Sequence, residues 1–133
     1  MSFRFKSSKR HLNAAEIAAL RKVCGLSIAE MQRRAAADLE FFDIPVFSGD
    51  WPMSKPRLVS LLGGIEEGSL PLRALLLEET SGSVTEEPLT IAQARERVQY
   101  FRDIALEQDM HRQLEAGHIS SPGEYTPPPE NEA

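Results

Sequence analysis

Covalent cross-linking is absent from this chain: its one cysteine, Cys24, cannot form a disulfide within the molecule. Nothing approaches the run of about 18 apolar residues that a membrane helix requires. Residues 1–10 are polar and basic, without the apolar stretch of a signal peptide, so a cytoplasmic protein with no membrane partner is expected. Aromatic residues are scarce, at 7%, with a single tryptophan, yet 41% apolar residues in 133 suffice for one core without metal or disulfide support.

Catalytic signatures are missing as well. Gly63-Gly64 has no following Lys and Ser/Thr to hold a phosphate, which excludes a P-loop. Ser81-Gly82-Ser83 is not a nucleophile elbow and has no histidine near it in sequence. Cys24 falls in an apolar helical stripe, where a thiol is structural. Asp103, Glu107, His111 and Glu115 recur every four residues, but a straight helical row converges on a metal with two ligands at best. His11 and His118 have no partner in the pattern. The chain therefore reads as non-enzymatic, with no cofactor and no metal.

Charge is distributed unevenly. Residues 1–34 carry eight Lys/Arg against two acids, a balance of +6, and the rest of the chain balances at -11, for a net charge of -5. An acidic body argues against nucleic acid, because it repels the phosphates that supply most of such affinity. It would instead attract a basic protein.

Caps and periodicity mark three helices in the first 70 residues. Asn13 with Glu16 opens the first, whose apolar positions are Ala14, Ile17, Leu20 and Cys24, and Gly25 ends it. Ser27 with Glu30 makes a capping box for the second, with Ile28, Met31, Ala35 and Leu39 on one face. The third is expected over residues 56–67, capped by Ser54, with Leu58, Leu61, Leu62 and Ile65 inward and Gly68 at its end. Strands are expected at residues 3–6, 41–47 and 70–77; Pro45 cannot donate to a ladder, so the second is expected at a sheet edge or bulged. This is an α+β fold, a three-stranded sheet packed on three helices in the order β-α-α-β-α-β, over residues 1–79.

Residues 80–89 read as a linker, from Ser, Thr, Gly and Pro content. Thr90 with Gln93 caps a further amphipathic helix within residues 90–117, whose stripe is Ile91, Ala94, Val98, Phe101, Ile104 and Ala105. That stripe either folds back on the chain or pairs with its copy, giving a homodimer through residues 91–105. Residues 118–133, rich in proline and glutamate, read as a disordered tail.

The run Cys24-Gly25-Leu26-Ser27-Ile28-Ala29-Glu30-Met31 resembles the junction of the first two helices in the C-terminal domain of the bacterial ribosomal stalk protein, which has the same order of elements; the likeness spans residues 3–79. Glu30 matches that family's acidic position, while Ala29 and Gln32 stand where it carries lysines. The resemblance implies the βααβαβ fold and, as one function, an adaptor that binds a translation factor or the ribosome through residues 26–34.

The other expected function is a small bacterial inhibitor or immunity-type protein that neutralises a basic, toxin-like partner. Asp38, Glu40, Asp43 and Asp50 would form its acidic surface, with Trp51 as the aromatic anchor, since the second helix, the Pro45 strand and the Gly- and Pro-containing connection of residues 47–53 adjoin in sequence.

Overall fold

The computed structural model describes residues 1–47 and 51–127, apart from the side chain of Pro52. Its elements run β1 (Ser2–Ser7), α1 (Ala14–Cys24), α2 (Ile28–Ala36), β2 (Glu40–Pro45), α3 (Trp51–Glu66), β3 (Leu72–Thr80), β4 (Ser83–Leu89) and α4 (Ile91–Glu115), followed by a 3-10 turn at Pro122–Glu124. The chain divides into two units, Met1–Ala94 and Arg95–Ala133.

The class is α+β, but the expected three strands are four, in one antiparallel sheet of order β2-β1-β3-β4. The additional strand comes from the segment that reads as a linker. Ser81 (φ 48°) and Gly82 (φ 82°) are both left-handed, the geometry of the tight turn whose twist matches two antiparallel strands. Thr80 and Ser83 flank it as a pair, and the ladder continues to Ala74 opposite Leu89. The strand is invisible to hydrophobic patterning because Ser83 through Pro88 are exposed on both faces of the sheet.

The core lies on one side of the sheet. Phe3, Phe5, Ile44, Ala74 and Leu76 point to this side and are all at most 2% exposed, while β3 also buries Leu75 and Leu77 on its other face. Helical residues Leu20, Met31, Leu58, Leu61 and Leu62 are buried to the same degree. Phe5 stacks on Phe42 at 5.1 Å between ring centroids, and the Arg57 guanidinium covers Phe42 at 4.7 Å. Arg57 also donates to the Val23 carbonyl at the end of α1 (2.8 Å), joining two helices and an edge strand.

Local signals set the helix ends. Asn13 and Glu16 complete their reciprocal cap, as do Thr90 and Gln93. The Ser27 cap is only half made: its hydroxyl accepts from Glu30 N–H, while the Glu30 carboxylate turns to Arg33 and Arg34 instead of to the Ser27 backbone. Two cations one turn onward outweigh one backbone amide. α3 starts at Trp51, five residues ahead of its expected start, so Pro56 sits inside the helix and removes one of its hydrogen bonds. Gly64 has a packing reason: a Cβ there would come 2.6 Å from Leu70 Cδ1.

In the second unit, α4 continues to Glu115 and Gly117 ends it in a left-handed turn (φ 76°). The Tyr125 hydroxyl donates to Asp109 (2.8 Å), fastening the 3-10 turn to α4; burial and that carboxylate hold the phenol above its ordinary range. No helix among the described residues is long and apolar enough to cross a membrane.

Candidate partner-binding surface

The strand register gathers charge on the side of the sheet opposite the core. Arg4 on β1 faces Asp43 on β2, and its guanidinium grips that carboxylate through Nε and Nη2 at 2.9 and 3.0 Å. Its Nη1 reaches Glu86 on β4 at 2.6 Å, spanning β3. The Lys6 ammonium donates to the other Glu86 oxygen at 3.1 Å and stands 3.9 Å from Asp38. Arg73 on β3 completes the set with a hydrogen bond to Asp38. Five groups on four strands, with Asp38 from the end of α2, thus form one chain of alternating sign.

Local backbone geometry aims Asp38 at these cations. It follows the last turn of α2 with φ 56°, a left-handed position that Asp tolerates, and Leu39 N–H closes the turn onto Arg34 C=O at 2.9 Å. Arg34 then donates to the carbonyls of Glu40 and Phe41 (3.0 and 3.2 Å), fixing the irregularity where Lys6 pairs with Glu40. The Glu86 carboxyl is held below the ordinary range, first by Arg4 and then by Lys6, and Asp38 below it by Arg73. Arg4 is correspondingly raised, chiefly by Asp43.

The expected acidic residues therefore fall in different situations. Asp38 and Asp43 are brought to one side of the sheet, where cations of the same chain neutralise them. Glu40 is half-buried beside them, on the irregular stretch of β2. Trp51 is separate from this set: it lies in the first turn of α3, 4% exposed, and its Nε1 has no acceptor among the described residues. Asp50 lies outside the described residues. Arg33 and Arg34, in the segment resembling the stalk protein, are both bound to Glu30, whose carboxyl they lower to about 2.

Acid without compensating base in the sequence is found elsewhere. Residues 74–94 include Glu78, Glu79, Glu86 and Glu87 and no Lys or Arg. Most of them belong to the β3-β4 hairpin, Leu72 to Leu89, whose base Arg73 is held by Asp38, and because β1 begins its pairing at Ser2 opposite Leu77, the hairpin from Glu78 onward projects past β1. Val84, 59% exposed, puts an apolar side chain among these acids. Windowed charge would have found this stretch; reading residues 80–89 as a connection hid its structure.

Among the described residues no group of three or more His, Cys, Asp and Glu could hold a metal. His111 and Glu107 meet only as an exposed pair at 3.7 Å on α4. A shallow open groove between α1 and α3 is lined by Ala19, Lys22, Val23, Ser60, Gly63 and Glu67. No family model, no curated protein and no solved structure matches the chain.

Proposed function

We propose that the chain is a non-catalytic protein-binding module that neutralises a basic protein, as inhibitors and immunity-type proteins do. The supporting observation is the end of the β3-β4 hairpin that projects past β1: Glu78 and Glu79 beside the turn, no Lys or Arg over residues 74–94, and six successive exposed residues from Ser83 to Pro88. A projecting acidic element accelerates encounter with a basic surface and discourages acidic competitors. Within this reading, Asp38, Glu40 and Asp43 shape the sheet that carries the hairpin, and Glu78 and Glu79 supply the steering charge.

The test is affinity capture on the immobilised full chain at low and then moderate salt, with Glu78→Lys/Glu79→Lys as the comparison. One basic protein, held in near-equal amount by the parent chain, released by salt and lost with the charge reversal, is the expected result. Capture of ribosomes or translation factors, abolished by Arg33→Glu/Arg34→Glu, would replace this reading with the adaptor. Recovery of the chain's own copies alone, with sedimentation showing a dimer broken by changes within residues 91–105, would replace it with self-association.

A further inference from the structure

We infer that β4 is a docking edge, and that an extended basic segment of the partner adds to it as a fifth strand. The inference rests on the binding-module reading and gives it a geometry. β4 closes one side of the sheet, with β3 as its only strand neighbour among the described residues. The two-residue turn makes Thr80 and Ser83 a hydrogen-bonded pair, and antiparallel ladders alternate from there. Val84, Glu86 and Pro88 consequently turn their backbone groups away from β3. Pro88 has no N–H to offer, so the outer edge presents the amides of Val84 and Glu86 and three carbonyls. All three residues are exposed.

The opposite edge is less receptive. Val46 N–H donates to Met1 C=O at 3.0 Å, so Pro45 and Asp43 are the outward-facing residues of β2, and the shifted register at Phe5/Lys6 bends that edge. β4 is regular from Thr80/Ser83 to Ala74/Leu89.

Charge selects the occupant. Glu78 and Glu79 lie beside the turn on opposite faces of the hairpin, and Glu86 and Glu87 lie on β4 itself, Glu86 shared with Arg4 and Lys6. A second copy pairing β4 to β4 would set glutamates against glutamates, which is unfavourable across adjacent strands. An incoming strand with Lys or Arg at alternate positions meets these acids while its backbone takes the free donors and acceptors. Main-chain bonds then give affinity and side-chain charge gives selection, as in strand addition generally.

The probe is a ten-residue end-blocked peptide of alternating lysine and valine, added to the isotope-labelled full chain and followed by amide resonances and hydrogen exchange. Saturable shifts with slowed exchange at Val84 and Glu86 are expected, and none with the glutamate-valine counterpart. Val84→Pro deletes an outward donor without removing a β3-β4 bond, so the hairpin survives while affinity falls about tenfold. Glu78→Lys/Glu79→Lys also weakens binding. No shifts up to about 1 mM peptide, shifts confined to other elements, or equal affinity in Val84→Pro would overturn the inference. A basic protein captured equally well by the Val84→Pro chain would overturn the edge and keep the module; peptide addition at β4 with no basic protein captured would do the reverse.

Discussion

Replacing Arg4 with methionine keeps an unbranched side chain of similar length and deletes only its charge and donors. Arg4 is 18% exposed at its side chain, and its two carboxylates, Asp43 and Glu86, are 31% and 32% exposed. Fully exposed pairs contribute about 0.2–1 kcal/mol, while hydrogen bonds to charged groups in protein surroundings contribute about 1.5–3 kcal/mol. Exposure places Arg4 between these limits, near 1 kcal/mol per carboxylate, or about 2 kcal/mol for the residue. At about 3 °C per kcal/mol for a domain of this length, the melting point should fall by about 6 °C. The assay is urea unfolding followed by fluorescence of Trp51, the single tryptophan, which is buried in the same unit. A double-mutant cycle with Asp43→Asn isolates the pair, with an expected coupling of about 1 kcal/mol. If Arg4→Met costs under about 0.5 kcal/mol, or Asp43→Asn costs the same in both backgrounds, the network does not tie the strands and the reasoning is wrong.

Three other outcomes are expected. Gly82→Ala, at φ 82°, should destabilise the hairpin by about 1 kcal/mol, with amide exchange in β4 rising before that in β1; unchanged exchange would contradict the assigned turn. Asn13→Ala removes the acceptor of Glu16 N–H and leaves the Glu16 carboxylate without its counterpart cap, a loss of about 1 kcal/mol readable in the same urea assay. Acid should destabilise the fold through Asp38, Glu30 and Glu86, all of which titrate below their ordinary values when folded. The unfolded chain binds protons first as pH falls, so their stabilising contribution is complete above about pH 5. It disappears as pH drops through the folded values, which for Glu30 is about 2. A urea midpoint constant from pH 6 to pH 2.5 would refute this assignment.

The helices of the first unit were legible because their signals are local. Asn13 and Gly25 bracket α1 as a cap and a left-handed stop, and both take those roles. β1 and β2 announced themselves through alternation, Phe3 and Phe5 in one and Phe42 and Ile44 in the other, because one face of each strand is buried. β4 has no such face, and its only sequence signal is the Ser81-Gly82 turn, read as a loop by composition. The start of α3 was missed for the opposite reason: Pro56 resembles a first-turn proline, yet burial of Trp51 and Leu58 carries the helix through it. Asp38 and Asp43 could be found in sequence, but their neutralisation could not, since Arg4, Lys6 and Arg73 reach them only through strand register.

The position of β1 has a temporal consequence. The first strand of the chain is interior to the sheet, held by residues 40–45 on one side and 72–77 on the other. It cannot acquire its second neighbour until some seventy further residues are in place, a closure that costs entropy before any contact returns it. α1 and α2 can form from local information, whereas the pairing of β1 with β3 joins the beginning of the chain to its middle. During that interval Phe3 and Phe5, later the innermost side chains of the sheet, are available to other molecules. A slow-folding or destabilised variant should therefore first become sticky at residues 2–7, well away from the acidic hairpin.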